Sequence, residues 1–239
     1  MRGFWNLECL GIASNCAQGN RNQRFLFDLT GFRLDFRYCK AQYIGELMAN
    51  PVPIVSPRVP NAANAGRHRL PAWLVADLRS DHAGEMGAVM IYRGILAVSR
   101  DSGVREFALH HLATEESHLQ RITALLDASQ HTRLLPLWRV MGWLTGALPA
   151  MLGANSVFVT IEAVETFVDH HYQEQLNRID PEGKFADIRM ILADCQADEI
   201  AHRDEARGLA TQARGPLLSL WALVVKSGSA AAVWAARRV

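Results

Sequence analysis

Glu-x-x-His occurs twice in this chain, as Glu115/His118 in EESH and as Glu199/His202 in DEIAH. Three residues of α-helix leave the two side chains of each pair about 60° apart on one face, so both can reach a single ion. Carboxylate and imidazole donors suit iron or manganese rather than the thiolate chemistry of zinc or copper. Either pair alone is ordinary on a solvated helix, so the motif needs partners before it means anything.

The partners are two further glutamates, Glu85 preceding the first motif and Glu165 preceding the second. If each glutamate and its motif lie on adjacent antiparallel helices, Glu165 and Glu199 both sit about 21 Å from the turn between them. Glu85 and Glu115 differ in height by about 4–5 Å, less than one turn. One Glu from each of two helices plus Glu-x-x-His from each of two others is the ligand layout of a dinuclear carboxylate site in a four-helix bundle. Four buried carboxylates repel one another, and two divalent cations bring them to formal neutrality.

The elements required are present in the pattern. From Leu70 onward, helical periodicity predicts helices over 71–99, 104–129, 134–152, 156–179, 185–213 and 216–236, separated by Gly, Pro, Asn and Asp punctuation. The expected fold class is all-α. Residues 1–69 are expected to be an irregular N-terminal extension and linker, with the bundle over 70–239. Short aromatic runs (FLF, FRLDFRY) appear early without a lasting period, and four Pro fall within 51–69.

Composition narrows the function classes. A formal net charge of +1, with 21% charged residues, argues against a nucleic-acid-coating protein, and 49% apolar residues argue against disorder. Four Cys without a CxxC pair give no disulfide framework or zinc knuckle, which fits a reducing compartment. No secretory signal pattern opens the chain, while residues 1–40 contain Arg and few acids, as an organelle-targeting segment would.

Residues 140–161 form an uncharged run long enough to span a bilayer. One crossing would put Glu85, Glu115 and His118 on one side and Glu165 on the other, so the two readings exclude each other unless the run turns back. Pro149 with Gly142, Gly146 and Gly153 supplies that interruption, and Trp138 and Trp143 suit the headgroup boundary. Residues 134–152 are therefore expected to be an apolar helix lying in the interface, with its end returning to the 156–179 helix. The 216–236 helix, with Trp221, Leu223, Val224 and Trp234 beside Lys226, Arg237 and Arg238, is a second interfacial candidate.

The segments RSDHAGEMGAVMIYRGILAV, EESHL, PLWRVMGWLTGALPAMLG, AVETFVDHHYQEQ and DEIAHRDEA together resemble the demethoxyubiquinone hydroxylase family of ubiquinone biosynthesis, over about residues 78–208. The resemblance implies a ferritin-like four-helix bundle with added apolar interfacial helices, holding two iron ions per chain. It implies a monooxygenase that uses O2, with NADH or another reductant, to hydroxylate the ring of a polyprenyl benzoquinol. Six iron ligands are implied, Glu85, Glu115, His118, Glu165, Glu199 and His202, with Glu115 and Glu165 spanning both ions. It further implies a peripheral protein at the membrane surface, on the cytoplasmic face in a bacterium or the matrix side of the mitochondrial inner membrane in a eukaryote, beside other quinone-biosynthesis proteins. Nucleic acid is not an expected partner. Met86, where the family commonly has an aromatic, and the additional carboxylate Glu162 depart from the pattern.

Around these ligands, Tyr172 stands seven residues after Glu165 and is the candidate to donate to the site or relay an electron. Asp198 and Asp81 are candidates to accept N–H protons from ligand histidines. His170 and His171 point elsewhere by period and are expected to be packed or surface groups. Two other functions share parts of the pattern: a ferroxidase or peroxidase, which needs no apolar exterior, and a non-catalytic lipid-binding helical protein, which needs no metal.

Overall fold

The computed structural model describes residues 25–29, 32–36, 70–211 and 213–239. They fall into two units, which divide after Arg67. In the first, β1 (Phe25–Leu29) pairs antiparallel with β2 (Phe32–Phe36), with Phe25 opposite Phe36 and Leu29 opposite Phe32. The early aromatic runs thus include a two-stranded hairpin within the expected irregular extension. The rest of the expected linker and targeting segment lies outside the described residues.

The second unit is all-helical among its described residues: α1 (Ala72–Val98), α2 (Ser102–Thr123), α3 (Leu135–Leu152), α4 (Ala154–Leu176), α5 (Ala186–Leu209) and α6 (Pro216–Ala236). Local chemistry sets several of the boundaries. Pro71 precedes α1 with φ already at −65°. The Asp101 carboxylate caps α2 by accepting from the Val104 N–H at 2.9 Å. α2 ends earlier than its periodicity predicts, because Asp127 and Gln130 close a reciprocal capping box around a short 3-10 turn, Ala128–Gln130. α5 likewise stops at Leu209 instead of continuing to 213.

The uncharged 140–161 run divides between two helices. Gly153, at φ 109°, turns the chain between α3 and α4 in a conformation that L side chains rarely adopt. Ser156 then donates its hydroxyl to the Pro149 carbonyl at 2.8 Å, tying the start of α4 to the end of α3. The run therefore turns back, as the metal geometry required.

α1 and α2 pack together, as do α4 and α5, and α2 also meets α5; these four helices form the bundle. α3 lies along α1, at places where only glycine fits. A Cβ on Gly146 would fall 1.9 Å from the Ile91 carbonyl oxygen, and one on Gly94 would fall 2.2 Å from the Trp143 carbonyl oxygen. The two backbones touch directly.

The core has two parts. One gathers Val89, Ile95, Phe107, Phe158 and Ile161, and the other Leu74, Leu78, Ile122, Leu176 and Leu192. On each bundle helix the acidic ligand candidate falls between residues of these two parts, so apolar layers close the polar layer from both ends. α6 packs on α4 and α1; Trp221 Nε1 donates to Thr160 Oγ1 at 2.8 Å, and Arg237 pairs with the buried Asp77 at 3.0 Å.

Outside the bundle, α3 exposes Leu137, Val140, Met141, Met151 and Leu152, and α6 exposes Leu217, Leu220, Leu223, Val224 and Trp234. Among the described residues α6 alone is long and apolar enough to cross a membrane by length and composition, and only 6% of its most apolar window is buried.

Candidate metal centre

All six expected ligands are buried in the bundle interior and converge. They form two sets of donor atoms, each set lying within 4.8 Å: Glu85, Glu115, His118 and Glu199 in one, and Glu115, Glu165, Glu199 and His202 in the other. The sets share Glu115 and Glu199. This differs from the expected bridging pair, Glu115 and Glu165. The two Glu-x-x-His helices pack against each other, which lets their glutamates enter both sets, while Glu85 and Glu165 each belong to one.

The donors are poised rather than satisfied. Glu85 Oε2, both carboxylate oxygens of Glu115, Glu165 Oε1, Glu199 Oε2 and His202 Nδ1 are buried without a well-aligned hydrogen bond, His202 Nδ1 lying at ion-pair distance from Glu115 Oε1 (3.1 Å) and Glu199 Oε2 (3.3 Å). A protein interior rarely leaves so many polar atoms unpaired in one place unless an ion or ordered water pairs them. The donor set, four carboxylates and two imidazoles, fits two divalent cations with each ion taking one private Glu, one His and the shared pair.

Electrostatics support this reading. Burial, followed by repulsion from Glu199, pushes the carboxyls of Glu115 and Glu165 well above the ordinary value. Glu85 is pushed up to about 7, burial again leading and the nearby His118 opposing. Glu199 is the exception: burial works against its charge, yet the hydrogen bond from His118 and the close pairing with His202 outweigh it and hold the carboxyl at about 2. His118 is the converse, burial being overcome by Glu199 and Glu85, so its pKa rises to about 10. Without cations, protons do the neutralising that ions would otherwise do.

The supporting groups only partly match the sequence expectation. His118 donates from Nε2 to Asp198 Oδ2 at 3.0 Å, which turns Nδ1 inward to 3.0 Å from Glu199 Oε1. Asp198 therefore braces a candidate ligand histidine, on the opposite motif from its own. Asp81 does not: its Oδ1 accepts from His171 Nε2 at 2.9 Å and from Gln175 Nε2 at 2.6 Å. The acceptor one turn before Glu85 thus serves a packed histidine of α4, a link across the bundle that no local spacing reveals. His171 is buried and His170 sits at the surface, donating to the Thr166 carbonyl at 2.7 Å.

The Tyr172 hydroxyl donates to Glu85 Oε1, so Tyr172 touches the site through a carboxylate of the other hairpin. Glu162 stands apart from both donor sets, paired with Arg207 at 3.0 Å and with Arg214. The sequence reading omits two further groups. His111 packs its ring against His202 with centroids 4.0 Å apart, and Tyr92 is fully buried on α1. Both were accessible as a register signal, since Tyr92 follows Glu85 by the seven residues that separate Tyr172 from Glu165, and His111 lies one turn before Glu115.

The chain has named relatives over the same region. The 3-demethoxyubiquinol 3-hydroxylase of Rhodospirillum rubrum is 36% identical over 166 residues, covering 68% of this chain and 76% of the relative. The proteins named NADPH-dependent 3-demethoxyubiquinone 3-hydroxylase, mitochondrial, are 31% identical over 166 residues in Rattus norvegicus and 30% over 168 residues in Homo sapiens, covering 67% and 68% of this chain and 76% of each relative. The profile of the family described as Ubiquinone biosynthesis protein COQ7 matches residues 72–236, which take in every bundle helix and every donor described above, and the chain belongs to that family.

Proposed function

We propose that this chain is a di-iron monooxygenase that hydroxylates the ring of a demethoxyubiquinol-type polyprenyl quinol at a membrane surface. The observation that carries the reading is the pair of donor sets sharing Glu115 and Glu199, in a chain whose relatives are named as hydroxylases of this ring.

In this reading Glu85 and His118 would hold one ion and Glu165 and His202 the other, with Glu115 and Glu199, common to both donor sets, available to each. The ions would supply the activation of O2 for insertion of one oxygen atom into the ring. The chain does the rest. Asp198 fixes the His118 tautomer so that the Nδ1 lone pair faces inward. Tyr172 holds a proton against Glu85 and fixes the orientation of that carboxylate. The two apolar core layers exclude bulk water from the donors.

The substrate class follows from the outside of the fold. A polyprenyl quinol does not dissolve in water, and the bare apolar faces of α3 and α6 suit a protein that sits on a bilayer and takes its substrate from it. A ferroxidase would have no use for these faces. Names of several relatives include dependence on NADPH and a mitochondrial location, and we take a nicotinamide nucleotide as the reductant class and peripheral attachment as the mode of membrane association. Other proteins of quinone biosynthesis are the expected neighbours there.

The test is metal analysis of the purified chain after anaerobic iron loading, together with mass spectrometry of quinones in a strain that lacks its own ring hydroxylase. Two irons per chain and restored mature quinone are expected. A chain that stays metal-free, or a strain that keeps accumulating the demethoxy intermediate, would falsify the reading.

A further inference from the structure

The bundle repeats its own chemistry. Glu85 and Tyr92 on α1 match Glu165 and Tyr172 on α4 at the same offset, and each pair is followed by a Glu-x-x-His helix. In one half the repeat closes a bond across the centre, because Tyr172 donates its hydroxyl to Glu85. The equivalent pair in the other half is Tyr92 and Glu165. There the bond is missing on both sides: the Tyr92 hydroxyl and Glu165 Oε1 are each buried without a hydrogen-bond partner.

Tyr92 has no exposed surface and Glu165 is 1% exposed, so both groups are sealed from bulk solvent. The rings nearest the phenol, Phe107 and His111, have centroids 6.3 Å and 5.9 Å from it. Tyr92 follows Glu85 by seven residues and so shares the ligand face of α1, and after burial the Glu165 carboxylate raises its phenol most, ahead of Glu115 and Glu199. Buried hydroxyls are normally paired, and an orphan aimed at a ligand set calls for a state in which it is paired.

We propose that Tyr92 is a positioning residue for the second ion, whose hydroxyl donates to Glu165 once a cation has drawn that carboxylate into place, as Tyr172 donates to Glu85. The proposal rests on the two-ion reading above and adds a residue to it. Tyr172 is already paired in the described structure, and Tyr92 gains its partner only on metal loading.

The experiment compares the full-length chain with Tyr92→Phe and Tyr172→Phe, using Co(II) as the probe, followed by its visible absorption, and thermal melting with and without the ion. Metal-free Tyr92→Phe should melt at or above the wild-type temperature, since it discards an unpaired oxygen, whereas metal-free Tyr172→Phe should melt lower. On titration, Tyr92→Phe should weaken one of two binding steps by about tenfold and leave the other within about twofold. Two wild-type-like steps in Tyr92→Phe overturn the proposal. So does a metal-free Tyr92→Phe that melts as far below wild type as the loaded form does, which would make Tyr92 a packing residue. A wild-type chain that takes up no Co(II) overturns the two-ion reading itself, and the proposal with it.

Discussion

Glu115 on α2 and Glu199 on α5 are the only residues that belong to both donor sets among the described residues, each supplied by a Glu-x-x-His motif. Loss of a shared carboxylate should therefore differ from loss of a private one. Glu199→Ala and Glu115→Ala should each retain almost no iron, while Glu85→Ala and Glu165→Ala should retain close to one iron per chain. Metal analysis with a circular dichroism check for helix content distinguishes the cases; one iron retained in Glu199→Ala would remove the bridging assignment.

Asp198 should matter for metal retention although it lies half outside the bundle. It fixes His118 from behind at 3.0 Å. Replacing it with Ala should weaken metal binding by about 10–100-fold with little loss of fold stability. Competition with a chelator gives the affinity, and an unchanged value would show that packing alone orients His118.

The metal-free protein should lose stability as pH rises. Glu85 is raised from 4.5 to about 7, by burial first, so its contribution is complete below about 4.5 and disappears as pH passes 7. His118 is raised from 6.5 to about 10, with Glu199 and Glu85 overcoming burial, so its contribution persists to higher pH and then fades towards 10. Cations need these protons removed. The increase in melting temperature caused by Mn(II) should therefore be larger at pH 7.5 than at pH 5.5, and an equal increase at both would contradict the linkage.

How much of this was readable beforehand depended on whether the cause was local. The convergence of six candidate ligands from four helices followed from motif spacing and helix rise, and a fold-back followed from the need to keep Glu165 with Glu85, although Pro149, Gly142 and Gly146 continue α3 and Gly153 alone makes the turn. The bridging pair did not follow, because it depends on how α2 and α5 face each other in space. The hydrogen bond from His171 to Asp81 joins helices ninety positions apart in sequence, and no periodicity encodes it. Tyr92 was within reach, since the same register argument that selects Tyr172 selects it too.

The α1 and α3 contact should be intolerant of side chains. Gly146→Ala puts a methyl group against the Ile91 carbonyl and should cost at least about 1–3 kcal/mol, because backbone rather than a flexible side chain must move. Gly84→Ala on the open face of α1 should instead gain about 0.5–1 kcal/mol. Chemical denaturation of the two variants measures both signs in one experiment.

The apolar face of α6 should govern membrane attachment. Leu220→Glu with Leu223→Glu removes two exposed leucines and should reduce co-sedimentation with lipid vesicles by at least about tenfold, while leaving iron content unchanged. Undiminished sedimentation would move the attachment site to α3.

Because α3 and α1 meet at their main chains, the exposed apolar face of α3 and the rod that bears Glu85 are in effect one girder. On the proposed attachment to a bilayer, its depth would set the height of the donor layer above the acyl chains, with no slack between them. A thicker or thinner membrane would then raise or lower the centre relative to the quinol head, making the reaction a reporter of lipid composition.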